Sequence, residues 1–238
     1  MPVKMRRIVL LIEVSRRDRP ARRLIELAAG RYSWTSPWLR ACALRGLEPL
    51  SPSADAVLTA AASDRNQLIA ETAQQLLRGQ KNTGGDGGAG VSLSIFDRVL
   101  KLKKVSIFSD IPYEVLANVA SILRARVVSV DETLINKGDR GGNLYIIAAG
   151  RVRVHDNGRS LREMGQDEFF GELSLLDSQP RTASVSAVEP TTVLELTQDI
   201  FYALTQEQPE ITRVINSALC QRIRQAYSEN TLRMTTSQ

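Results

Sequence analysis

The sequence predicts an α+β protein, an all-α N-terminal part followed by a jelly-roll β-barrel flanked by helices. Three observations predict it. Apolar residues in the first eighty positions recur at three- and four-residue steps, the period of a helix with one buried face. The run Gly84-Gly85-Asp86-Gly87-Gly88-Ala89-Gly90 then interrupts the chain with almost no side chain to bury. Beyond it, from Arg126 onward, the period falls to two in short segments separated by Gly, Asp and Asn. The expected organisation is a helical domain over residues 1–80, a glycine-rich linker over 81–90 and a second domain over 91–238.

In the first part the stripes are Ile8, Leu11 and Ile12, then Leu24, Leu27 and Ala28, then Trp38, Leu39, Cys42 and Ala43, and finally Leu68, Ile69, Thr72, Ala73 and Leu76. Pro20, Pro37, Pro49 and Pro52 fall at breaks or first turns, where a missing amide costs least. Short antiparallel helices follow. Trp38 to Leu44 and Leu68 to Gln74 align with Ala43 over Ala73, a spacing that resembles the second helices of successive HEAT-type repeats. A plain helical bundle satisfies the same pattern. Gly85, Gly87 and Gly90 match a dinucleotide-binding glycine spacing, but no strand precedes them, so the match is accidental.

The second part opens with helices over residues 93–102 and 113–123, with Asp110 placed as a cap and Pro112 as an early helical residue. Strands are expected over 126–130, 132–136, 144–147, 151–155, 160–164, 182–187 and 191–196, with Asp156-Asn157-Gly158 as a hairpin turn. Such even spacing of short strands indicates a jelly-roll barrel or sandwich. Helical periodicity returns at Ile200, Phe201 and Leu204. It continues along Ile211, Val214, Ile215, Ala218, Leu219 and Ile223, a stripe expected to lie on the barrel as a lid.

Composition narrows the function. The chain has 238 residues, 43% hydrophobic and 24% charged, which fits a globular protein and excludes a disordered or collagen-like one. The net charge of +5 arises in the first eighty residues, on a face rich in Arg16, Arg17, Arg19, Arg22 and Arg23. With few aromatics among them, these arginines suit a solvated face or an acidic partner better than nucleic acid. No apolar run approaches the roughly 18 residues of a spanning helix, and a cytoplasmic location is expected. Cys42 and Cys220 are expected as reduced, buried thiols. His155 is the only histidine, expected as a solvent-facing residue at a strand end, and no metal-ligand or phosphate-loop spacing occurs. Neither an enzyme nor a metal protein is indicated.

One stretch carries chemistry: Phe170-Gly171-Glu172-Leu173-Ser174-Leu175-Leu176, a short polar insert, then Pro180-Arg181-Thr182-Ala183-Ser184-Val185. Glycine permits close backbone approach, a helical turn starting at Glu172 offers unpaired amides, and Arg181 can fork onto two phosphate oxygens. A carboxylate beside an anion makes sense only if it faces a sugar hydroxyl. Arg181 is expected in a surface loop with few partners of its own.

These residues resemble the phosphate-binding cassette of the cyclic nucleotide-binding domains found in protein kinase regulatory subunits, gated channels and the catabolite activator protein. The similarity covers about residues 93–228 and includes Asn136-Lys137-Gly138-Asp139 and the strand-and-turn framework from Leu144 to Val154. The resemblance implies that Glu172 binds the ribose 2′-hydroxyl and Arg181 the cyclic phosphate. It also implies that the backbones of Gly171, Leu173, Ser174 and Thr182 complete the pocket, with Phe170 and Ala183 beside them. The family often has glycine four residues before Gly171, where this chain has Asp167.

The expected ligand is therefore cAMP or cGMP. Thr182 stands where a threonine favours guanine in some relatives, yet its hydroxyl can equally meet the phosphate. HEAT repeats joined to such a domain resemble the soluble tail of bacterial nucleotide-transporter-like proteins. This implies a sensor with a protein partner, a membrane-associated one included, docked on the helical domain. The alternatives are a ligand-free adaptor with a vestigial pocket and a catabolite-activator-like regulator lacking its DNA-binding domain. Direct DNA binding is not expected, because too few residues follow Arg224 for a helix-turn-helix.

Overall fold

The computed structural model describes residues 19–47, 51–81 and 93–207, together with positions 212, 213, 220 and 224. The glycine run 84–90, the stripe at Ile8 to Ile12 and most of the stripe from Ile211 to Ile223 lie outside the described residues. The chain divides into two compact units, Met1–Phe96 and Asp97–Gln238.

The first unit contains α1 (Arg19–Ala28), α2 (Pro37–Gly46), α3 (Ser51–Ala61) and α4 (Gln67–Lys81). Ser36 starts α2 as a cap, its side chain accepting from the Leu39 amide, and Pro37 takes the first helical position. Helix α2 packs against α1 and α4, and α3 packs against α4. The core they enclose includes Ala28, Ala43, Leu44, Leu47, Leu58, Ile69, Ala73 and Leu76. The helix α3 was not among the predicted stripes, since its alanine-rich sequence carries little hydrophobic contrast. Four packed helices do not by themselves make a HEAT-type repeat. Cys42 is half-buried on the flank of α2, between the inward-facing Ala41 and Ala43, and Cys220 is exposed, so the expectation of two buried thiols is corrected; neither is in a disulfide.

The second unit begins within α5 (Ile95–Lys104), which leads through a short 3-10 turn to α6 (Tyr113–Ile122). The cap of α6 is Pro112, in extended conformation and without a side-chain bond, so neither Asp110 as cap nor Pro112 as an early helical residue holds. Asp110 instead stands in the turn after the 3-10 segment.

Two antiparallel four-stranded sheets follow. One has the order β1 (Arg124–Val128), β8 (Thr191–Leu196), β3 (Leu144–Ala149) and β6 (Phe169–Phe170). The other has β2 (Thr133–Ile135), β7 (Ser184–Ala187), β4 (Val152–Asp156) and β5 (Arg159–Met164). Their inward faces share a core of Val128, Ile135, Tyr145, Ile147, Val152, Met164, Phe170, Val185, Ala187 and Val193. The strand β6, two residues long, is too short to show a period of two and was not predicted. Residues 182 and 183, expected in a strand, form a bend that carries the chain out of the cassette.

Two turns explain residue choices that the strands alone do not. Asn157 and Gly158 both take left-handed conformations, φ 47° and 80°, the pair that a two-residue hairpin with native twist requires. Asp167 is left-handed too, φ 68°, a backbone that glycine adopts freely and that aspartate tolerates. Its amide donates to Ile147 O at 2.9 Å and fixes the turn into β6.

Candidate phosphate-binding site

The segment from Phe170 to Ala183 is a strand end, a left-handed glycine, a helix of one and a half turns and a loop that returns to the sheet. Phe170 stacks on Tyr145 of β3, ring centroids 5.2 Å apart, and so fixes the exit of β6 against the barrel core. Gly171 follows at φ 85°. A β-carbon there would lie 2.6 Å from Asn143 O and 2.7 Å from the Arg181 guanidinium, so the position excludes any side chain for two independent reasons. Helix α7 (Glu172–Asp177) starts directly after it and ends at Ser178, itself left-handed.

Arg181 is buried, 7% exposed. Its guanidinium donates to Gly171 O at 3.0 Å and Asn143 O at 2.8 Å, while its own amide donates to Asp139 O and its carbonyl accepts from the Gly138 amide. The expectation of a surface-loop arginine with few partners is therefore wrong. Carbonyl acceptors leave no mark in a sequence, because every residue has one. Among the described residues, two neutral carbonyls hold this cation. Burial lowers its pKa from the ordinary arginine value, and Tyr145, Glu172 and Asp139 act in the opposite sense.

Glu172 is also buried, 8% exposed, at the first position of α7. Ser174 is buried on the same helix, whereas the Leu173 side chain is half exposed, as suits a residue from which only the backbone is wanted. Thr182 is exposed and Ala183 half-buried. The predicted residues thus gather in one segment, and Arg181 adjoins Gly171 directly.

Sequence reasoning missed the turn Gly141-Gly142-Asn143, although two glycines ahead of an apolar strand are a visible signal of close backbone approach. Asn143 supplies the carbonyl for Arg181, and its side chain donates to Glu195 Oε1 of β8 at 2.5 Å. His155 differs from its expected solvent-facing state: it is half-buried, its Nε2 2.9 Å from Ser186 Oγ. Among the described residues no group of His, Cys, Asp or Glu is arranged to hold a metal ion. Among them also, no helix is long and apolar enough to cross a membrane.

Comparison with known proteins places this geometry. Residues 125–208 match the cyclic nucleotide-binding domain model. Over these residues the chain is similar to that family. The chain is similar to the cyclic AMP receptor protein of Thermus thermophilus, 33% identical over 130 residues, which are 52% of this chain and 60% of that protein. It is also similar to a cyclic nucleotide-gated potassium channel of Rhizobium etli, 31% identical over 118 residues, which are 50% of this chain and 33% of the channel. The chain thus spans less than two thirds of the curated relatives it matches. A solved cyclic nucleotide-binding domain from Methylobacillus flagellatus superposes with a TM-score of 0.52 at 25% identity, covering 60% of this chain and 84% of that one. The similarity covers most strands of the antiparallel sheets and the cassette, and the helices of the first unit lie outside the matched residues.

Proposed function

We propose that the protein is a sensor of cAMP or cGMP that regulates a partner rather than catalysing a reaction. The observation that carries the reading is the buried Arg181 guanidinium. A cation removed from water is ordinarily neutralised by an opposite charge, and among the described residues the guanidinium is held by two carbonyl oxygens. In this reading a cyclic phosphate supplies an opposite charge to the guanidinium fork. Gly171, lacking a side chain, lets the ligand reach the backbone, and Glu172 is the acceptor for a ribose hydroxyl. Relatives named for cyclic AMP and for cyclic nucleotide gating support this choice of ligand class.

The regulated partner docks on the helical unit in this reading. Two observations favour a repeat-like platform there: Ala43 and Ala73 are both buried, and Arg45 donates to Gln75 across the α2–α4 contact at 2.9 Å. The location proposed is the cytoplasm, where both nucleotides are made.

Calorimetric titration of cAMP and of cGMP into the purified chain tests the reading. Saturable binding of either at one site is expected. Absence of binding by both would make the domain a ligand-free adaptor. cAMP is the favoured ligand; Thr182→Ala is expected to weaken cGMP more than cAMP if the threonine hydroxyl reaches guanine, and both equally if it meets only phosphate.

A further inference from the structure

The far end of the cassette is held by a residue that no site assignment includes. Gln198 opens α8 (Gln198–Glu207), one residue beyond the end of β8. Its side-chain amide spends both protons on the end of α7, donating to Leu175 O at 3.1 Å and to Ser178 Oγ at 2.8 Å. Leu175 O belongs to the carbonyls that the last turn of a short helix leaves without an intrahelical partner, and Ser178 is the residue that caps the helix. The amide can lie there because Gly142 has no side chain. A β-carbon on Gly142 would stand 2.5 Å from Gln198 Oε1 and 2.6 Å from its carbonyl carbon. The next residue, Asn143, supplies the carbonyl that aims Arg181.

We infer that Gln198, seated over Gly142, is a positioning residue for the nucleotide site: it fixes the C-terminal end of α7 and thereby the placement of Glu172 at the other end. Helix α7 is six residues long, so a rigid unit of about 9 Å connects the clamped end to Glu172. The Gly141-Gly142-Asn143 turn then supports both halves of the site at once, Arg181 through the Asn143 carbonyl and α7 through the seat of Gln198. The inference rests on the nucleotide reading above.

The test is a double-mutant cycle read by cAMP and cGMP titration, with thermal melting of each variant alongside. The single variants are Gln198→Ala, Gln198→Glu and Gly142→Ala. Gln198→Glu keeps the shape and removes both donors, so it isolates the hydrogen bonds even if the alanine variant folds poorly. Each is expected to weaken nucleotide binding about tenfold, the scale of one or two hydrogen bonds. The combined Gly142→Ala/Gln198→Ala variant is expected to be no weaker than either single change, because both remove the same contact. A lowered melting temperature with affinities within about twofold of the original chain assigns Gln198 a structural role only and overturns the inference. Additive losses in the combined variant overturn it as well. An unmutated chain that binds neither nucleotide overturns the nucleotide reading, and this inference with it.

Discussion

The two units bury different things. In the helical unit the core is apolar, and its buried polar side chain among the described residues, Thr72, is satisfied within its own helix by Leu68 O at 2.6 Å. Its charged contacts lie toward the outside, as in the Arg40–Asp64 pair at 2.9 Å, where each side chain keeps about a fifth of its surface in solvent. The β-rich unit instead buries Glu172, Ser174, Arg181 and Thr191. A helix can satisfy its polar groups locally and needs nothing further. A buried cation held by carbonyls from two separate segments ties those segments together, and under the proposed function the same contacts aim it at the ligand.

The sharpest way to break this contrast is to remove one arginine from each unit. Arg181→Ala is expected to abolish nucleotide binding and also to destabilise its unit by about 2–4 kcal/mol, because Asn143 O and Gly171 O lose their donor in a buried site. Arg40→Ala is expected to cost about 1 kcal/mol or less, since its ion pair is partly solvated. Urea unfolding of the two variants compares them directly, and equal losses would erase the distinction.

A pair of glycines sharpens it further. Gly171→Ala must place a β-carbon within 2.7 Å of two neighbours at φ 85° and is expected to lose about 1–3 kcal/mol together with binding. Gly79, on α4, has nothing within 4 Å of its would-be β-carbon. There Gly79→Ala is expected to stabilise the helical unit by about 0.5–1 kcal/mol, read as a higher melting temperature.

The smallest effect lies on the surface of the helical unit. The Tyr32 hydroxyl donates to Glu26 Oε2 at 2.6 Å and, with Arg22 also contributing, lowers the Glu26 pKa. Since the folded value is the lower one, any stabilisation is present above the unfolded carboxylate pKa and fades as pH falls through the folded one. Tyr32→Phe is expected to move the Glu26 titration upward in a carboxyl NMR experiment while leaving nucleotide binding unchanged.

How much of this was legible in the sequence follows from what each feature depends on. The strand segments showed in their alternation, the Asn157-Gly158 turn in its dipeptide, and the cassette in the spacing of Gly171, Glu172 and Arg181, because each is local. Helix α3 and strand β6 did not show, the one too uniform in alanine and the other too short for any period. The burial of Arg181 and the roles of Asn143 and Gln198 depend on main-chain carbonyls and on contacts between residues far apart in sequence. No residue type marks such contacts in advance.

Strand β1 is an outer strand of its sheet among the described residues, and it presents Val127, 60% exposed, on a flank with open backbone valences. Such a flank is a template for any extended chain that drifts against it. Arg124 and Arg126 precede Val127 on the same strand, both exposed, and Arg126 is held in place by Glu132 at 2.6 Å. Charged side chains along an outer strand disfavour the pairing of a second extended chain, so the two arginines protect this flank from edge-to-edge association.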